Sequence, residues 1–109
     1  MTESVIGRLA ATVTARRQES AGASYTRQLL DAGPHKCARK FGEEAIEVVI
    51  AALGADSKAL TAEAADVVYH LLVLLESKGV AWASVEAALT ARMGTSGLAE
   101  KAARPKTDG

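Results

Sequence analysis

The chain predicts an all-α fold, for three reasons. Apolar residues recur at three- and four-residue spacing. Aromatic residues make up only 4% of the 109 residues against 49% hydrophobic, and alanine is abundant. A core with so few large rings must be built from Leu, Val, Ile and Ala on closely approaching helices.

Val5, Ile6, Leu9 and Val13 share one helical face, and Thr2 is a suitable N-cap, so a first helix is expected from residue 3 to about 17. "QESAGAS" breaks it. "YTRQLLDAG" reads as a short helix stopped by Gly33, and Pro34 suits the first turn of the next helix, where its missing N–H costs nothing. That helix carries Phe41, Ala45, Val48, Val49 and Ala52 as an apolar stripe and stops at Gly54. "ADSK" is a turn, with Asp56 or Ser57 as the cap of a helix from about 58 to 78. Here Val67, Val68, Leu71, Leu72, Val73, Leu74 and Leu75 leave almost no polar face, so cover is needed on more than one side. A chain this short has few elements to provide it, and a homodimer built around this helix is the economical expectation. A last helix is expected from about 83 to 93, ending at Gly94. The predicted architecture is a bundle of four to five helices, with the central helix hairpin packing in a homodimer. Residues 1–94 are expected to form one domain, followed by a polar tail, 95–109.

Composition narrows the function classes. The single cysteine, Cys37, excludes an internal disulfide and there is no Cys/His set for a structural zinc, so a reducing cytoplasm is expected. No signal-like segment and no apolar run of membrane-spanning length is present. Net charge is zero, with 13 basic and 13 acidic residues, which argues against a general nucleic-acid surface. The charges are nonetheless segregated. From Arg16 to Lys40 six basic residues stand against two acidic ones, and from Phe41 to Glu76 seven acidic residues stand against Lys58 alone.

Within the acidic half, "KFGEEAIEVVIAAL" places Glu43, Glu44 and Glu47 on one arc of a helix, because residues three and four apart project about 60° and 40° from one another. Glu63 and Asp66 repeat the three-residue spacing on the following helix. An antiparallel hairpin joined by "GADSK" could bring Glu44, Glu47, Glu63 and Asp66 to similar height. Carboxylates gathered among Val and Leu repel one another unless a cation intervenes, and hard divalent cations prefer clustered oxygen ligands. Mg²⁺ is the natural candidate, with Mn²⁺ its nearest substitute. Either pair alone more often marks a solvated helix face; their conjunction on consecutive helices without interleaved lysines carries the metal reading.

Glu44-x-x-Glu47 followed by Glu63-x-x-Asp66 resembles the ExxE/ExxD signature of the MazG-like all-α nucleotide pyrophosphohydrolases. Within that superfamily, "SYTRQLLDAGPHKCARKFGEEAIEVVIAA", "EAADVVYHLLVLLESKGV" and "SGLAEKAAR" together resemble the phosphoribosyl-ATP pyrophosphohydrolases of histidine biosynthesis. The resemblance implies Mg²⁺-dependent cleavage of phosphoribosyl-ATP between its α and β phosphates, with Glu44, Glu47, Glu63 and Asp66 as metal ligands. Glu43 is then the extra carboxylate, either handling the attacking water or serving structure. Lys36 and Lys40, one turn apart ahead of the acidic segment, are expected to reach phosphate. Arg27 in "SYTRQ" and Lys101 with Arg104 in "EKAAR" are further expected phosphate contacts, and the tail is expected to close over substrate. His70, one turn beyond Asp66, is expected to support the site from behind. Tyr69 is expected at a subunit interface, Cys37 as a small buried hydrophobe and Trp82 as a packing anchor. Two alternatives remain open at this point: a related hydrolase of other nucleoside triphosphates, and a helical dimerisation module whose acidic face binds a basic partner.

Overall fold

A computed structural model describes residues 4–93, and these form five helices with no strand among them. α1 is Val5–Arg16, α2 Tyr25–Ala32, α3 Pro34–Leu53, α4 Ser57–Ser77 and α5 Trp82–Arg92. The all-α expectation and all five predicted helices are borne out. Residues 95–109, with the expected tail contacts Lys101 and Arg104, lie outside the described residues.

Local chemistry sets the boundaries. α1 is capped by Ser4, whose Oγ accepts from the Gly7 N–H at 3.0 Å, rather than by Thr2, which lies outside the described residues. Ser24 caps α2 in the same way through the Arg27 N–H. A single residue, Gly33, links α2 to α3. It sits at φ 97°, a left-handed backbone that side chains resist, and Pro34 follows at once to start α3. Only Gly54 to Asp56 separate α3 from α4, and Asp56 caps α4 by accepting from the Lys58 and Ala59 N–H groups at 2.9 and 3.3 Å.

α3 and α4 form the most extensive pairing in the fold, an antiparallel hairpin against which α1 and α2 pack. The core is Val13 of α1, Leu29 and Leu30 of α2, Cys37 of α3, and Leu72 and Val73 of α4, flanked by Ile6, Leu9, Val68, Tyr69 and Trp82 among others. At its far end the fold is tied by Glu76, whose carboxylate accepts from Thr14 and from Arg17, while the Arg17 guanidinium also donates to the Glu76 carbonyl at 2.8 Å. Partial burial alone would raise the Glu76 carboxyl, but the hydrogen bonds from Arg17 and Thr14 and the Arg17 charge outweigh it and hold the group below its ordinary value.

The apolar stripe of α3 differs from the expected one. Phe41, Ala45 and Val48 are half-buried, whereas Val49 is 59% exposed and Ala52 is exposed too. Ile46 (61%), Ile50 (59%) and Leu53 (85%) join Val49 in a second stripe at i, i+3, i+4 and i+7 that this chain leaves open. Periodicity found the helix but could not separate its two apolar faces.

Candidate active site

The acidic residues come from the middle turns of α3 and the first half of α4, and the three-residue turn between these helices sets their relative height. One carboxylate oxygen from each of Glu44, Glu63 and Asp66 can be chosen so that all three lie within 4.8 Å of one another. Oxygens around an octahedral Mg²⁺ with bonds of about 2.1 Å stand roughly 3 Å apart when adjacent and 4.2 Å when opposite, so small side-chain rotations suffice to close this set on an ion. The electrostatics agree with the donor set. Glu63 is half-buried, and its carboxyl is raised above the ordinary value by desolvation first, then by repulsion from Asp66, Glu47 and Glu44. Four carboxylates therefore share one field, a donor set whose chemistry would suit a divalent cation.

Within that field the residues divide. Glu47 is exposed and stands outside the close trio, one turn along α3 from Glu44, near enough for its charge to be felt at Glu63. Glu43 turns to Lys40 instead, with Nζ to Oε1 at 3.2 Å. The Lys40 ammonium is held above its ordinary value by that hydrogen bond first, then by the neighbouring Tyr25 phenol and the charges of Glu43 and Glu44. Lys40 is thus delivered to the edge of the cluster, and Lys36, half-buried one turn earlier, forms no ion pair among the described residues.

Other expected residues behave differently. Arg27 is fastened to structure: Nε donates to Asp31 at 2.9 and 3.0 Å, and Nη1 donates to the carbonyls of Arg17 and Glu19 at 3.0 and 2.6 Å, stitching α2 to the preceding loop. Tyr69 is half-buried. Its hydroxyl shares a hydrogen bond with Thr26 and its ring packs on the core, because α2 crosses α4 there. His70 is buried behind the cluster. Desolvation lowers its pKa, against the pull of Glu44 and Asp66, and its Nδ1 has no hydrogen-bond partner within the described residues. Its imidazole meets the rings of Tyr69 and Tyr25 edge to face, at centroid distances of 5.0 and 6.3 Å. Cys37 is a buried hydrophobe whose thiol donates to the Leu29 carbonyl, and Trp82 packs at the start of α5. Tyr25 was not singled out by its sequence position, yet it stands half-exposed between Lys40 and His70. The one signal for it was its place in "SYTRQ".

The sequence profile of the phosphoribosyl-ATP pyrophosphohydrolases matches residues 6–93, which take in all five helices almost whole and the entire carboxylate cluster. The chain belongs to this family. Among phosphoribosyl-ATP pyrophosphohydrolases with curated names, the phosphoribosyl-ATP pyrophosphatase of Cereibacter sphaeroides is 56% identical over 100 residues, covering 92% of this chain and 97% of its own. Phosphoribosyl-ATP pyrophosphatase 1 of Rhodopseudomonas palustris is 56% identical over 98 residues (90% and 92%). The phosphoribosyl-ATP pyrophosphatase of Dinoroseobacter shibae is 54% identical over 101 residues (93% and 99%). The resemblance drawn from the motifs is thereby borne out at the level of the family.

Proposed function

We propose that this chain hydrolyses phosphoribosyl-ATP to phosphoribosyl-AMP and pyrophosphate, the second step of histidine biosynthesis, in the cytoplasm. The observation that carries the chemistry is the convergence of Glu44, Glu63 and Asp66 within 4.8 Å on the α3–α4 hairpin. The substrate is carried by relatives of that name at more than half identity over nearly their whole length.

Glu44, Glu63 and Asp66 would hold Mg²⁺, or Mn²⁺ in its place. When bound, the ion supplies charge neutralisation for the phosphoanhydride oxygens and Lewis acidity toward water. Glu47, an exposed carboxylate at the rim, either completes the ligand set or takes the proton of the attacking water. Glu43 fixes Lys40 through their ion pair, and Lys40 with Lys36 meets the phosphates from the cationic side of the cluster. Arg27 acts by holding the α1–α2 loop in place. Lys101 and Arg104 are proposed as further phosphate contacts, with the tail after residue 94 closing over the substrate. His70 is buried behind the carboxylates, where desolvation lowers its pKa and disfavours a competing cation.

A homodimer completes the reading. It is supported by the open stripe of Ile46, Val49, Ile50 and Leu53, whose self-matching on a second copy would bury what one chain exposes. No helix among the described residues is long and apolar enough to cross a membrane.

The test is pyrophosphate release with Mg²⁺ from phosphoribosyl-ATP and from a panel of nucleoside triphosphates. Efficient turnover of phosphoribosyl-ATP is expected, with Asp66→Asn losing about 100-fold or more in kcat and binding Mn²⁺ more weakly. Release from the panel alone would defeat the substrate assignment. Normal turnover by Asp66→Asn would defeat the site.

A further inference from the structure

A cavity of about 320 Å³, within the range of small-molecule sites, lies between α1, the start of α2 and α4. Leu9 and Val13 form its apolar side and Thr26 and Tyr69 its polar side, with their hydroxyls already paired to each other. Arg16 is the one charged residue of the lining, and its guanidinium is occupied by both oxygens of Glu19 at 2.8 Å. The cavity therefore offers no free cation to a phosphate. Its walls suit a flat, uncharged group instead.

Tyr25 stands at the junction of this cavity and the site. Its ring is 52% exposed, lines the cavity, and is braced edge-on by His70, while its phenol lies close enough to Lys40 to be felt there. A large apolar ring held open to solvent beside a phosphate-binding lysine is the arrangement that stacks a nucleobase. A nucleotide whose phosphates lie on Lys40 and the carboxylates would bring its base to this ring.

We propose that the cavity is the purine subsite, with Tyr25 stacking on the base of the substrate and the Tyr69–Thr26 pair closing the pocket behind it. The proposal rests on the substrate reading above and assigns Tyr25 the discrimination of a nucleotide from a bare phosphoanhydride.

Steady-state kinetics on phosphoribosyl-ATP with the full chain tests it. Tyr25→Ala should raise KM roughly tenfold or more, the usual weight of one stacked base, while kcat and Mn²⁺ affinity change little. Tyr25→Phe should recover most of that loss, because the ring makes the contact. Ala23→Phe, which crowds the cavity from its exposed lip without touching the acidic cluster, should also raise KM, and it decides the matter if Tyr25→Ala fails to fold. An unchanged KM in folded Tyr25→Ala or in Ala23→Phe overturns the subsite. So does a Tyr25→Phe defect as large as that of Tyr25→Ala, which would place the effect in the hydroxyl and Lys40. If the wild-type chain releases no pyrophosphate from phosphoribosyl-ATP, the substrate reading fails first, and the two failures are distinguishable.

Discussion

Replacing Ile50 by aspartate should split the proposed dimer without damaging the subunit. Ile50 is 59% exposed in the single chain, so the change opens no cavity in the intramolecular core. Fully burying an isoleucine contributes about 1.5–3 kcal/mol, so covering the remaining three-fifths of this one contributes about 1.5 kcal/mol. Two-fold symmetry makes the change twice per dimer, about 3 kcal/mol in all, or roughly 100-fold in the dissociation constant. The desolvation of two carboxylates adds to that loss. Sedimentation velocity over a concentration series measures it directly. The wild-type chain should sediment as a dimer at micromolar concentration and Ile50→Asp as a monomer with unchanged helical circular dichroism. A monomeric wild type at about 100 μM, a concentration at which even weak interfaces form, would refute the reasoning. So would an Ile50→Asp dimer of undiminished affinity.

Two further outcomes follow from the charged groups. Because the Glu63 carboxyl is raised in the folded protein, its ionisation opposes folding: stability falls as pH rises from the ordinary value of 4.5 through the raised one and stays lower above it. Glu63→Gln should therefore melt higher than wild type in EDTA at pH 8, lose that advantage near pH 4, and gain less than wild type from Mg²⁺; a lower melting point in EDTA at pH 8 would contradict this. Glu76 has the opposite sign, contributing stability above 4.5 that is lost as pH falls through its lowered value. Glu76→Ala should cost about 1–2 kcal/mol in urea unfolding at pH 7, a hydrogen-bonded charge discounted for the exposure of Arg17, and the gap should narrow in acid.

The central helices were legible because they begin or end on residues with local chemistry: Gly33 and Pro34 between α2 and α3, Gly54 and Asp56 between α3 and α4. The first cap was misplaced by two positions because Thr2 and Ser4 offer the same hydroxyl, and only the backbone geometry at Ser4 tells them apart. The acidic constellation was legible as a set but not in its detail. Glu43, Glu44 and Glu47 share an arc wide enough that helix phase decides which of them faces α4, and that phase is fixed by packing among distant residues such as Cys37 and Leu72. Spacing likewise could not show that Arg27 would be drawn to the carbonyls of Arg17 and Glu19, since a loop carbonyl has no sequence signature.

The short turn between α3 and α4 also bears on how the chain acquires its site in time. The converging carboxylates are only about twenty positions apart along the sequence, whereas the contacts that tie α1 to Glu76 span 59 and 62. Closing the shorter loop costs less entropy, so the hairpin should form before α1 returns to it. The mutual repulsion of the acidic groups is then met early in folding, ahead of most of the core. A divalent cation should accordingly hasten refolding more than it slows unfolding, a difference that stopped-flow measurements with and without Mg²⁺ would read on the two limbs of the chevron.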